Sequence, residues 1–330
     1  MALKELGKEY FEPNETRDTE EIITVIKKRL ERDYPPGKIL RQFHAKMHAC
    51  VQATFTVESK LPQNLQYGFL VPGKSYDAWI RYSNGSDKVV HDKKADLRGM
   101  AIKLLNVNGE VLTNDEVLPQ SQDFLLVSYP TLMSTTVADF KKNIKALCGG
   151  GLSMLVFALN PTNWPAIIRT LRSLKKHDNL FAIQYWSVSP YRLGKPKQAV
   201  KYSVIPTTKN TSTPTEKSSP HFLRTVMQHD LESKTITFDF MVQMQEDADK
   251  MPIENMCVEW KSKFIKVATI SIPQQNFDTA DRNSFGENLT YSPWHCLKEH
   301  QPLGGVNRAR HAAYLAISKF RLERNKEIKN

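Results

Sequence analysis

Along residues 235–245, Ile236, Phe238, Phe240, Val242 and Met244 occupy every second position, alternating with Thr237, Asp239 and Gln243. Successive side chains of an extended chain point to opposite faces, so a period of two gives one buried and one solvated face. Apolar, strand-like runs recur at 44–57, 76–83, 100–106, 123–128, 199–205 and 264–272. Turn residues such as Asn84-Gly85-Ser86 and Asn108-Gly109 separate them. Helical spacing takes over at 19–32, through Ile22, Ile23, Val25, Ile26 and Leu30, and Pro35-Pro36-Gly37 stops it. It returns at 137–147, which Gly149-Gly150-Gly151 terminates, at 164–176, and at 306–324. Residues 207–220, rich in Thr, Ser and Pro, read as a surface loop. The pattern predicts an α+β chain: an antiparallel β-barrel of about eight strands with inserted helices and a C-terminal helix. A helical segment over residues 1–40 precedes the barrel and is expected to cover one end of its core.

Composition narrows the classes. With 330 residues, 40% of them hydrophobic, the chain can bury a large core as one domain or at most two. The formal net charge of +11 raises the question of nucleic acid, but Lys and Arg are scattered rather than interleaved with aromatics, so no nucleic-acid partner is expected. Charge alone predicts weak peripheral attraction to anionic membrane surfaces. Cys50, Cys148, Cys257 and Cys296 stand far apart and form no CxxC pair, which argues against zinc and a disulfide framework. Residues 1–10 are charged, and no run of eighteen apolar residues occurs. A cytoplasmic location without signal peptide or spanning helix is therefore expected. Oligomeric state is left open, a homo-oligomer included.

The candidate chemistry sits at the two ends. On the helix over 306–324, Arg310 and Tyr314 are four apart and Arg321 lies seven further on, so all three share a face. A phenol beside fixed cations favours its phenolate, a hard ligand for ferric iron, and tyrosine is a known axial ligand of haem. Spacing alone also fits a solvated basic helix whose tyrosine packs inward. Three further motifs accompany it: Arg41-Gln42-Phe43-His44-Ala45-Lys46, Trp79-Ile80-Arg81-Tyr82-Ser83-Asn84, and Asp96-Leu97-Arg98-Gly99-Met100-Ala101-Ile102-Lys103. In this order, from about residue 41 to 321, the four resemble the haem catalase superfamily. The likeness is nearest to its short members, the catalase-related haem proteins and the catalase-like allene oxide synthases.

The resemblance implies a barrel domain over 41–330 with ferric haem b buried at its side. It places Tyr314 as the proximal iron ligand and Arg310 as the guanidinium that hydrogen-bonds the phenolate. Arg41, Arg81 and Arg321 match the arginines that pair with the haem propionates. His44 matches the distal histidine that moves protons during O–O cleavage, and Ser83 the serine that orients its ring. His48 has no family role and is expected to be a barrel residue. The distal partner departs from the pattern. Ser128, or with a slipped alignment Ser121, stands where catalases have asparagine. Leu132 or Met133 replaces the phenylalanine over the haem edge, and Phe43 stands where valine or threonine is usual. Such a pocket is more apolar than a catalase pocket. The implied function is a haem enzyme acting on an organic or fatty-acid hydroperoxide by peroxidase, rearrangement or lyase chemistry. A slow catalase acting on hydrogen peroxide and a haem-binding protein without turnover are the alternatives.

Overall fold

Alternation in the strands decides how the sheet curls. Ile236, Phe238, Phe240 and Val242 are all fully buried, and their strand is hydrogen-bonded on both sides, which turns one apolar row inward. The computed structural model describes residues 4–326 except Lys38, Glu116 and Asn210; the outermost residues of the expected 1–40 and 41–330 segments lie outside the described residues. In chain order the elements begin with α1 (Glu15–Asp33), β1 (Met47–Val57), β2 (Ser75–Asn84), β3 (Arg98–Leu104) and β4 (Gln122–Val127). Three helices follow, α2 (Val137–Cys148), α3 (Gly151–Leu159) and α4 (Trp164–Ser173), then β5 (Tyr185–Trp186), β6 (Tyr191–Leu193) and β7 (Lys195–Pro206). The chain closes with α5 (Phe222–Ser233), β8 (Ile236–Met244), β9 (Phe264–Ile272), α6 (Ala280–Asn288) and α7 (Gly305–Lys326).

The sheet runs β5-β4-β3-β2-β1-β9-β8-β7-β6, and β5 also pairs with β7. That second pairing, Tyr185 with Val204 and Trp186 with Ser203, closes eight antiparallel strands into a barrel, with β6 outside the ring. The fold class expected from sequence is the one observed. Inside, aromatic rings meet edge to face, Phe124–Phe240 at 4.8 Å and Phe55–Phe240 at 5.0 Å between centroids, an arrangement the ring quadrupoles favour.

A second apolar cluster lies outside the barrel wall. There Ile22, Ile26 and Leu30 of α1 pack with Val137 and Ile144 of α2 and Val306 and Ala309 of α7. The N-terminal helix thus joins a helical layer with α2 and α7. Three expectations change locally. The first strand begins at Met47, not His44. The triple glycine ends α2 as expected, but Gly150, at φ 85, lets the chain restart at once as α3, a helix not expected there. Helices α5 and α6 lie where no helix was expected, beside the 207–220 loop and after β9. All four cysteines are free; Cys50, Cys148 and Cys296 are buried and Cys257 partly so. Among the described residues no helix is long and apolar enough to cross a membrane.

Candidate functional site

The antiparallel register assembles one wall of the site. Ser83 pairs with Gly99, and Gly99 with Val127; directly paired residues share a face, here the outer one, since Tyr82, Met100 and Leu126 beside them fill the barrel core. The His44 ring lies across this face. Its Nδ1 is 3.0 Å from Ser83 Oγ, and a Cβ placed on Gly99 would fall 2.5 Å from that same nitrogen. Gly99 is thus a cradle that only glycine permits.

His44 reaches the wall from a turn rather than a strand. Its φ of 60 lies in the left-handed region, which costs an L-residue roughly 1–2 kcal/mol. Tertiary hydrogen bonds hold it there: the His44 N–H donates to the Gly85 carbonyl at 3.3 Å, and the His44 carbonyl accepts from Arg81 Nη2 at 3.1 Å. Burial pulls the imidazole pKa down to about 4, and the charges of Arg81, Arg310 and Arg41 oppose protonation further. The ring is therefore neutral at neutral pH. His48 points the other way, into the barrel, where its Nε2 meets Asn84 Oδ1 at 2.6 Å. The two histidines do not share a strand face, although the 44–57 run suggested that they would.

Arg41, Arg81 and Arg321 converge on a residue that sequence reading missed. Arg41 Nη1 donates to the Glu287 carboxylate at 2.9 Å, Arg81 Nη2 lies 3.7 Å from it, and Arg321 Nη1 donates to the Glu287 carbonyl at 2.9 Å. Two guanidinium charges thus face one carboxylate, and a third is held at the backbone carbonyl of the same residue. Burial lowers Arg81 to about 10 and Arg321 to about 9, and mutual repulsion with Arg41 adds to both. Arg81 Nε is buried without a hydrogen-bond partner among the described residues. Such a cluster is incomplete without further negative charge. Glu287 sits on α6, whose apolar residues lack a helical period; Thr279, whose side chain accepts the Arg282 N–H as N-cap, was the one available signal.

One helical turn joins Arg310 to Tyr314. Arg310 Nη2 is 3.4 Å from the Tyr314 hydroxyl, and Nη1 donates to Asn307 Oδ1 at 3.1 Å and Ser189 Oγ at 3.3 Å. Burial disfavours the Arg310 charge, but the phenols of Tyr314 and Tyr191 outweigh it and raise its pKa. Half-buried Phe43, Val127, Leu132, Trp186 and, from α7 itself, Ile317 pack onto the flanking apolar cluster.

Ser128 is placed differently. Its Oγ accepts the Arg98 N–H at 2.9 Å, extending the β3–β4 ladder, so its hydroxyl serves the sheet while Val127 occupies the face shared with Gly99. No hydrogen bond joins Ser128 to His44 among the described residues. Ser121 lies away from the site, with its Oγ 3.2 Å from Lys103 Nζ. Met133 lies beside α4, its Sδ 3.7 Å from Thr170 Oγ1.

These residues fit an anionic, iron-bearing planar group: a phenol backed by a guanidinium, an arginine cluster short of anions, and a neutral imidazole on a glycine cradle. The chain has the catalase-like fold. It superposes on catalase A from Saccharomyces cerevisiae with a TM-score of 0.68 at 18% identity, covering 88% of this chain and 62% of that one. A fungal catalase matches with a TM-score of 0.68 at 15% identity, covering 98% of this chain and 65% of that one. The chain spans a little under two thirds of the length of each. No family model matches the sequence, and no curated protein matches it at a significant level.

Proposed function

We propose that this protein binds ferric haem b and acts on organic hydroperoxides, fatty-acid hydroperoxides being the preferred class. The observation that carries the reading is the arginine cluster on Glu287. Its excess of two positive charges equals the charge of two propionates, and one of its members, Arg321, lies on the same helix as the Arg310–Tyr314 pair. Tyr314 would hold the iron through its phenolate oxygen, with Arg310 stabilising the anion by charge and hydrogen bond. Arg41, Arg81 and Arg321 would hold the propionates. When bound, the haem supplies an electron-rich iron able to accept a peroxide oxygen.

The remaining steps belong to the chain. With Nδ1–H donated to Ser83, Nε2 of neutral His44 would take the hydroperoxide proton and return it to the leaving alkoxide oxygen. Ser83 and Gly99 fix the ring so that this transfer needs no rearrangement. Phe43, Val127 and Leu132 exclude water and favour an alkyl chain over a second polar molecule. With the Ser128 hydroxyl engaged by Arg98, Ser83 is the side-chain hydrogen-bond partner of the His44 ring among the described residues, which disfavours fast hydrogen peroxide dismutation.

The test is reconstitution. Protein supplied with hemin should give a ferric Soret band, and Tyr314→Phe should lower the retained haem to about a tenth or less of wild type. Equal retention by the two proteins would remove Tyr314 as the ligand. Consumption of a fatty-acid hydroperoxide should exceed oxygen release from hydrogen peroxide; the reverse ranking would favour the slow-catalase reading.

A further inference from the structure

The helical hairpin α3–α4 has no buried residue in either helix. It is nevertheless among the most apolar stretches of the chain: Leu152 is 76% exposed, Leu159 72% and Leu171 63%, with Leu155, Val156 and Trp164 also exposed. An amphipathic helix turns one apolar stripe to its own core; α3 instead presents apolar side chains around its circumference and has no core to turn to. Residues 149–168 carry no charge at all.

Two independent features identify what covers it. The first is charge. From 140 to 177 the chain has seven Lys and Arg and neither Asp nor Glu. Lys141 and Lys145 pair with Asp18 and Glu21, whereas Arg169, Arg172 and Lys176 at the base of the hairpin make no ion pair among the described residues. The second is the tip. Asn163 Nδ2 donates to the Phe157 carbonyl at 2.9 Å and Trp164 Nε1 to the Ala158 carbonyl at 3.0 Å, while Asn160 Oδ1 accepts the Thr162 N–H at 3.1 Å. The chain thus satisfies carbonyls at the end of α3 that an aqueous tip could leave to solvent. Internal satisfaction of this kind is what a hydrocarbon environment requires.

We infer that the α3–α4 hairpin is a monotopic docking element for the surface of an anionic lipid bilayer. Its apolar tip enters the boundary between headgroups and acyl chains, and its basal cations meet lipid phosphates and carboxylates. Nine residues of α3 span only about 14 Å, less than half of a hydrocarbon core of roughly 30 Å, so the element lies in the interface and does not cross. Docking does not depend on the proposed reaction. Where it meets that reading, resting on it, Thr170 of α4 touches Met133, the neighbour of Leu132 on the apolar wall, which makes bilayer-borne acyl hydroperoxides the substrates presented to the site.

Co-sedimentation of the full chain with vesicles tests docking without any readout of activity. Binding to phosphatidylserine–phosphatidylcholine vesicles should exceed binding to phosphatidylcholine alone by roughly tenfold or more at low salt. The double variant Leu152→Asp/Leu155→Asp should lower it by about tenfold or more with unchanged circular dichroism, since neither side chain is buried. Arg169→Gln/Arg172→Gln should lose most of the anionic preference. Trp164 fluorescence should shift to the blue on binding. Absence of co-sedimentation, or binding indifferent to the Leu152/Leu155 variant, overturns the inference. So does an apolar variant that breaks up a dimer in light scattering while vesicle binding stays absent, which would assign the hairpin to a second copy of this chain.

Discussion

The two sides of the candidate site are made of different materials. The part around Glu287 and Tyr314 gathers four arginines, a glutamate and a phenol, whose charges are held by burial at some electrostatic cost. The His44 side is glycine, valine, leucine and phenylalanine around a single polar pair, His44 and Ser83. Charge density decides whether an anionic cofactor stays bound, whereas shape and dryness decide what it meets there. A change on one side should therefore alter retention and spare turnover per bound haem, and a change on the other should do the reverse.

The sharpest separation comes from His44→Ala, which should lower hydroperoxide turnover about 100- to 10,000-fold while the Soret absorbance per protein stays within error of wild type. Loss of both together would show that the two sides are not separable. The next effect is on pH. The pKa of His44 is about 4 folded against an ordinary 6.5, so the unfolded state binds the extra proton between these values. Stability from this group is complete above about pH 6.5 and is lost as pH falls toward 4, by on the order of 3 kcal/mol. His300, buried and lowered to about 4, titrates in the same window. Urea midpoints for wild type and His44→Gln at pH 7 and pH 4.5 check this: the wild type should fall more steeply. The acidic limb of turnover should likewise lie near pH 4; a limb at pH 6.5 would mean that the ring is not desolvated during the reaction. Gly99→Ala should destabilise by roughly 1–3 kcal/mol and lower turnover more than retention, because its methyl displaces the imidazole. Smallest is Arg321→Ala, which should speed haem loss roughly tenfold and leave turnover of the haem that remains nearly unchanged.

Legibility followed how local the cause was. The alternation from Ile236 to Val242 and the amphipathic run of α7 come from neighbouring residues, and both elements stand where the pattern placed them. The left-handed turn at His44 is imposed by Gly85 and Arg81, far along the chain, so a strand-like run hid it. Parity explains Ser128. A shift of one residue exchanges the faces of a strand, and the ladder puts Val127 beside Gly99. Glu287 escaped for a different reason: α6 has too little apolar content to show a period, and the role of that carboxylate exists only when three distant arginines surround it. Helix α5 carries Phe222, Leu223, Val226, Met227 and Leu231 on its buried face, a legible period, but it starts without a side-chain cap directly after the Ser/Pro-rich loop.

Under the proposed reading, the buried cysteines carry a further consequence. Sulfur is attacked as thiolate, and burial pushes Cys50 and Cys148 up to about 11 and Cys296 higher still. Their sulfurs stay protonated and sealed from solvent, so a peroxide turned over at the proposed site would find little to corrode in the scaffold around it.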